Sequence, residues 1–485
     1  MEHKDKKGRT RFRQLSLVMI LTCGTWSMFN ALQAAYWQFF MTDVLLISAA
    51  TAGVCLIIAT TFELISCFLV GPIIEWARLP WGKYRSWVIL APPIITICFL
   101  MMFTDYRLPE IAMSGLLVLG YCIAHIGVNA VTTVRNLVIS ISGKTPQDRS
   151  ILSTKKGQGS SIGTFIFGLI GLNCILFFNG GDPNAPEGYQ AATLMFGTFF
   201  VITHVILFRV FPRSDTKNLK EEERQLNHLS IRWMWKSLTS SPPFIAIVLA
   251  DSIRYIARAI MLGIIVYYFQ YVLNDISASA FFFSASGIIA MIGSFLAEAL
   301  IHKISKRTLY LFGYIVMIIC FVLMFIFGLS AVAFIILSAT WYFGLSFVNA
   351  AQVGMYADGI DYAVYKQKSD CRAWLMSLTT IPPQIGNLGR AVFVGLGLAV
   401  IGYSAQVTPA PEVVLGIRVL ACIIPAVLMA IGLFMLLKWF NLEDKELITI
   451  REELTALGLN KDLDNTETVD GSDIEYNPDG RNLDR

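Results

Sequence analysis

Long apolar blocks separated by short polar connections run along the whole chain, and they predict twelve membrane-spanning helices. The predicted spans are 15–41, 46–71, 87–104, 109–141, 159–178, 190–211, 243–271, 276–301, 307–328, 330–353, 374–402 and 413–440. Each is close to or beyond the roughly 20 residues that a helix needs to cross a bilayer. The alternating pattern of a membrane β-barrel is absent, so the expected fold is all-α.

The basic residues give the helices a direction. The connections 1–14, 72–86, 142–157, 209–241, 302–307 and 355–373 hold 26 Lys and Arg, and the alternate connections hold two, Arg107 and the edge residue Arg418. Positive charge is retained on the cytoplasmic side, which predicts a multi-pass protein of the inner (plasma) membrane with both termini inside. Gly71 and Gly293, Asn129-Ala130 and Asn349-Ala350, and Arg149 and Arg372 lie 222, 220 and 223 residues apart. A near-constant offset is what a parallel repeat leaves. The expected domains are therefore a cytoplasmic start 1–14, a six-helix bundle 15–211, a connector 212–242, a second bundle 243–440 and a tail 441–485.

Composition narrows the class further. The chain is 55% hydrophobic and 15% charged, with mean hydropathy +0.61, against about 25% charged for a soluble protein. The basic start runs into a span too long for a signal peptide, which predicts that the first helix is retained. Nine cysteines without a CxxC pair read as small apolar residues. No HExxH, nucleophile elbow or catalytic carboxylate pair is present, so neither an enzyme nor a cofactor is expected. The net charge of +4 points to no nucleic-acid partner. Arg232, Trp233, Trp235 and Lys236 suit a connector lying at the headgroups. Leu447, Ile450, Leu454 and Leu457 form one helical stripe in a tail that is polar and expected to be disordered beyond it.

Several segments together resemble a known family. Gly71-Pro-Ile-Ile-Glu75-Trp76-Ala-Arg78-Leu-Pro-Trp81-Gly82-Lys83-Tyr84-Arg85-Ser-Trp87 is similar to the loop after helix two of the glycoside–pentoside–hexuronide:cation symporters, the melibiose-permease branch of the major facilitator superfamily. Phe40-Met41-Thr42-Asp43, Asn179-Gly-Gly-Asp182, Gly188-Tyr189-Gln190, Ala357-Asp358-Gly-Ile-Asp361-Tyr362 and Asn441-Leu442-Glu443-Asp444-Lys445 resemble further segments of that family. The resemblance implies a major facilitator fold of twelve helices in two six-helix bundles, with a central site reached by alternating access. It implies gate or loop roles for Gly71, Glu75, Lys83, Arg85, Arg149, Asp358, Asp361 and Arg372.

The family's cation site has two carboxylates on helix two and a polar group on helix four. The matching positions here are Glu63, Cys67 and Asn129. A thiol is a poor ligand for a hard cation, so the expected coupling ion is a proton rather than sodium, taken up by Glu63. The family's sugar-binding acids on helices one and four match Ser27 and Thr132, beside Trp26 and Asn136, and its helix-eleven lysine matches Ile385.

Positive charge occupies the core instead. Arg135, Arg254, Arg258 and Arg390 fall within predicted spans, against Glu63 and Asp251. Asp251, Arg254, Tyr255 and Arg258 share one face of helix seven. Arginines in a membrane require a partner or an aqueous cavity, so Asp251, Arg254, Arg258 and Arg390 join Trp26, Ser27, Thr132 and Asn136 as expected substrate residues, and the substrate is expected to be anionic. His125 reads as structural, and Pro92-Pro93 and Pro382-Pro383 as kinks. The resulting expectation is a monomeric secondary transporter in contact with membrane lipid, moving a glycoside or related polar small molecule. A lysolipid carrier and a non-transporting sensor or scaffold are the alternatives.

Overall fold

The computed structural model describes residues 2–76, 79–81, 84–142, 146–210, 231–301, 303–369, 371–405, 409–442 and 444–456; side chains of residues 2–11 and of some further positions lie outside the description. The first half runs α1 (Glu2–Phe39), α2 (Ala49–Trp76), α3 (Arg85–Met102), α4 (Glu110–Ser142), α5 (Pro146–Phe178) and α6 (Glu187–Val210). The second half runs α7 (Pro242–Tyr267), α8 (Ala278–Ile301), α9 (Lys306–Phe327), α10 (Ala331–Gln367), α11 (from Ile381–Arg390 through Gly397–Val400) and α12 (from Pro411–Arg418 through Ile424–Trp439). Among the described residues there is no strand.

Among the described residues, ten helices are long and apolar enough to cross a membrane. The remaining two crossings are α7, which carries Asp251, Arg254 and Arg258, and α11. The α11 chain begins as a short helix Arg372–Leu378, restarts at Ile381 and passes through a π-helical stretch Ala391–Leu396. Pro382 and Pro383 sit in the first turn of the restarted helix, where a missing N–H costs little. They begin a segment rather than kink one, contrary to the expectation from sequence. Pro92 and Pro93 lie inside α3. Three expected cytoplasmic segments continue the spans as helix: α1 starts at Glu2, α5 starts at Pro146 and α10 continues to Gln367. A helix needs no apolar side chains outside the lipid, so the end of an apolar run marks the membrane boundary rather than the helix end.

The two halves repeat each other closely. Helix pairs α1–α5, α1–α6, α2–α4, α3–α4 and α3–α6 pack together, as do their counterparts α7–α11, α7–α12, α8–α10, α9–α10 and α9–α12. Between the halves, α2 packs on α11, α5 on α8 and α1 on α7. This arrangement places two six-helix bundles about a pseudo-two-fold axis. The repeat reaches the backbone. Helix α1 ends in a π-turn Phe40–Val44 and α7 in a π-turn Tyr268–Val272. Each is followed by a left-handed residue, Leu46 at φ 57° and Asn274 at φ 54°. Glycine lets the bundles touch: a Cβ added at Gly53 of α2 would lie 2.7 Å from the Gly395 carbonyl carbon of α11.

The tail forms a helix, Asp444–Ala456, packed on α10 with Leu447, Ile450 and Leu454 buried. The connector contains a helix, Ile231–Thr239, with Trp235 exposed. Residues 211–230, Leu457 and the rest of the tail lie outside the described residues.

Candidate functional site

Helix α4 carries Tyr121, His125, Asn129, Thr132 and Asn136 at helical spacing. Such residues fall along one face, and the upper part of this stripe meets Glu63 of α2. Glu63 is 6% exposed. Its Oε2 accepts a hydrogen bond from the Tyr121 hydroxyl at 2.6 Å, and its Oε1 accepts one from Asn387 Nδ2 of α11 at 3.1 Å. The carboxylate is therefore held by both bundles at once. His125 Nε2 lies 3.8 Å from Oε2, while its Nδ1 donates to the Tyr121 carbonyl at 3.0 Å. The His125 ring also stacks on Tyr121, which stacks on Trp37. Asn129 does not reach the carboxylate; it donates to Ser66 Oγ at 2.8 Å, and Ser66 in turn donates to the Glu63 carbonyl at 2.8 Å. Cys67 is half-buried one turn along α2. Glu63, Cys67 and Asn129 are thus neighbours, with the acid bonded to residues that its motif did not include.

The arginines divide into separate places. Asp251 and Arg254 are both 0% exposed and paired at 2.9 Å. Asp251 accepts further hydrogen bonds from Tyr310, Gln352 and Tyr356, and Arg254 reaches Asn349 at 3.4 Å. This network lies inside the second bundle and leaves Arg254 Nη2 without a partner. Arg258 is half-buried beside Tyr342, and its Nε has no partner. Arg390 sits at the bundle interface and donates through Nη1 to the Ala34 carbonyl of α1 at 2.9 Å, with Nε unpartnered. In the first bundle, Arg135 bonds Thr132 Oγ1 at 3.2 Å and lies 6.0 Å from the Trp26 ring centroid. Lys156 of α5 donates to Asn136 Oδ1 at 2.9 Å. Trp26 and Ser27 are half-buried on α1, so Trp26, Thr132 and Asn136 converge while Asp251 and Arg254 lie elsewhere.

At the face opposite the termini, Asp43 is fully buried. It accepts hydrogen bonds from Thr42 at 2.6 Å, from Tyr403 at 2.5 Å and from Tyr271. The Thr42 hydroxyl also bonds Tyr267 at 2.8 Å. Residues of α1, α7 and the end of α11 thereby close the far face.

Among the described contacts, those of Arg85, Asp358 and Asp361 join elements of one bundle. Arg85 donates to the Phe208 carbonyl at 3.1 and 3.0 Å and lies over the Phe208 ring. Asp358 pairs with Lys306 at 2.9 Å, and Asp361 with Arg372 at 3.5 Å. Lys83 and the surroundings of Gly71, Glu75 and Arg149 lie outside the description. Asn387, Tyr121 and Ser66 were not among the expected site residues. Tyr121 and His125 carried a signal, since both share the helical face of Asn129. Asn387 carried only its polarity within an apolar span.

The chain matches the MFS/sugar transport protein family over residues 24–444. It is 24% identical over 384 residues to the isoprimeverose transporter of Lactiplantibacillus pentosus, covering 78% of each chain. It is 20% identical over 432 residues to the glucuronide carrier protein homolog of Escherichia coli (strain K12), covering 87% of this chain and 91% of that one. The bacterial homolog of the human lysosomal transporter Spinster, solved inward-facing and unoccupied, superposes with a TM-score of 0.63 at 14% identity, covering 91% of this chain and 98% of that one, and shares the fold. The chain belongs to the MFS/sugar transport protein family, in its glycoside–pentoside–hexuronide:cation symporter branch. It is a membrane-embedded secondary transporter of a small glycoside-like solute and not an enzyme.

Proposed function

We propose that this member of the MFS/sugar transport protein family carries a glycoside with an anionic group, and that a proton taken up by Glu63 drives it. The observation that carries the reading is the grip of both bundles on one buried carboxylate: Tyr121 from the first, Asn387 from the second. An ionised carboxylate accepts from both donors. A protonated one must itself donate from one oxygen and so competes with Tyr121 or Asn387. Proton uptake therefore loosens the tie between bundles, and rocking of one against the other exposes the site to the opposite side. A sodium ion is the poorer fit, because the lone pairs of Glu63 already point at N–H and O–H donors and the second family acid is a thiol, Cys67.

The anionic reading is supported by the positive excess in the membrane, where Arg135, Arg258 and Arg390 each retain unpartnered guanidinium nitrogens. The relative named as a glucuronide carrier homolog carries the same implication. The distribution of basic connections supports termini on the cytoplasmic side of the inner (plasma) membrane.

The test is uptake into proteoliposomes under an imposed proton or sodium gradient, with a glucuronide and its neutral glucoside as competing solutes. Proton-driven glucuronide accumulation, lost in Glu63→Gln while exchange persists, is the expected result. Sodium-driven accumulation, or accumulation unchanged in Glu63→Gln, overturns the coupling role. Preference for the neutral glucoside overturns the anionic substrate.

A further inference from the structure

Arg135 and Lys156 form a pair of cations with no acidic partner among the described residues. Arg135 is 3% exposed, and two of its three guanidinium nitrogens, Nε and Nη1, are buried without a hydrogen-bond acceptor. Its third nitrogen holds Thr132. The Cys23 thiol beside it is a weak neutral acceptor. Lys156 is close enough to Arg135 for their charges to repel, and its ammonium rests on a neutral amide oxygen, that of Asn136. His204 of α6 completes the wall: it is fully buried, its Nδ1 donates to the Phe200 carbonyl at 2.8 Å, and its Nε2 has no partner.

Burying an unpaired guanidinium is among the costliest arrangements a membrane protein can hold. Asp251 shows how this chain neutralises an arginine that serves structure, with a carboxylate at 2.9 Å and a full set of donors around it. Arg135 has none of these. Two like charges side by side are stabilised by an anion placed between them, and a guanidinium with free donors beside an ammonium matches the oxygens of a carboxylate or sulfonate.

We propose that Arg135 and Lys156 are the binding site for the oxyanion of the transported solute, with the adjoining Trp26 ring as the platform for its sugar. The proposal rests on the anionic-glycoside reading and assigns that reading its residues. Asn136 is exposed and Lys156 half-buried, so both can be reached by a solute, while Arg135 is buried beside them. The solute oxyanion takes the place of the Asn136 amide on Lys156 and draws Arg135 forward from Thr132. The pocket also adjoins the coupling site: Thr132 and Asn136 continue the α4 stripe from Asn129. Substrate and proton therefore act on the same helix.

The test measures binding of a glucuronide, a 6-sulfo sugar and the matching neutral glucoside to the purified full-length protein in detergent, by thermal shift and calorimetry. Arg135→Gln and Lys156→Gln are expected to weaken both anionic sugars at least about tenfold more than the neutral glucoside, as for a lost charge-assisted hydrogen bond; an equal loss for all three sugars overturns the oxyanion role. Arg135→Lys is expected to recover part of the loss. Lys156 is partly exposed, so its substitution keeps the test alive if Arg135→Gln does not fold. Anionic binding that survives both substitutions but falls in Arg258→Gln overturns this site and leaves the anionic reading intact. A wild-type protein that binds only the neutral glucoside overturns that reading itself.

Discussion

Asp43 and Tyr271 occupy equivalent places in the two halves of the chain, each in the π-turn that ends the first helix of its bundle, and they hydrogen-bond to each other across the pseudo-two-fold axis. The two halves thus close the far face by the same structural element, used once as acceptor and once as donor. Tyr403 adds a second donor to the same carboxylate oxygen.

This latch makes the far-face closure sensitive to single atoms. Hydrogen bonds to a charged group contribute about 1.5–3 kcal/mol. Tyr271→Phe, which removes one hydroxyl, is expected to shift the protein toward the state open at the far face, and Asp43→Asn to shift it the same way. Spin-label distances between Tyr106 and Leu329, exposed residues near the far ends of the two bundles, should lengthen in both variants. Unchanged distance distributions would show that packing alone holds the face shut.

Gly53 and Gly395 give a steric counterpart. A Cβ at Gly53 meets the α11 backbone at 2.7 Å, and backbone cannot yield as a flexible side chain can. Gly53→Leu should hold α2 away from α11 and populate the far-open state in the same distance measurement. A distribution matching the wild type would show that the helices can slide to accommodate the side chain.

The Asp251–Arg254 pair predicts an effect on stability rather than on affinity. Removing one member of a buried pair costs about 3–5 kcal/mol because the other charge is stranded. Asp251→Leu should lower the thermal midpoint and the yield of monodisperse protein, and the double variant Asp251→Leu/Arg254→Met should recover much of both. If the double variant remains as unstable as the single one, the surrounding Tyr310, Gln352 and Tyr356 hydroxyl and amide groups, not the stranded arginine, set the cost.

Asn387 tests the tie between bundles independently of the acid. Asn387→Leu leaves Glu63 in place but removes the donor from α11. Proton-driven accumulation should fall while solute-driven exchange continues, read as a lower proton-to-solute ratio in proteoliposomes. A ratio equal to the wild type would confine the coupling role to the first bundle.

Sequence patterning located the twelve long helices of the two halves to within a few residues at most boundaries, because a bilayer demands apolar length and tolerates little else. It erred where helices leave the lipid, at the starts of α1 and α5 and the end of α10, since water imposes no such demand. It placed Glu63, Cys67 and Asn129 together through a resemblance, yet the donors that hold the acid went unnoticed. Tyr121 lies 58 residues from Glu63 and Asn387 lies 324 away, and hydropathy contains no information about which polar residues on separate helices meet.

The sequence by itself determined the membrane environment, the helix count, the repeat and the excess of positive charge, because each follows from composition and local order. Only the tertiary structure decided what the charges do. Arg254 and Arg135 both stand in sequence as arginines within predicted spans. One is paired with a carboxylate three residues earlier on its own helix, and the other has no carboxylate partner among the described residues and leaves two nitrogens unpartnered. A charge in a membrane is defined by its partners, and here most partners come from other helices.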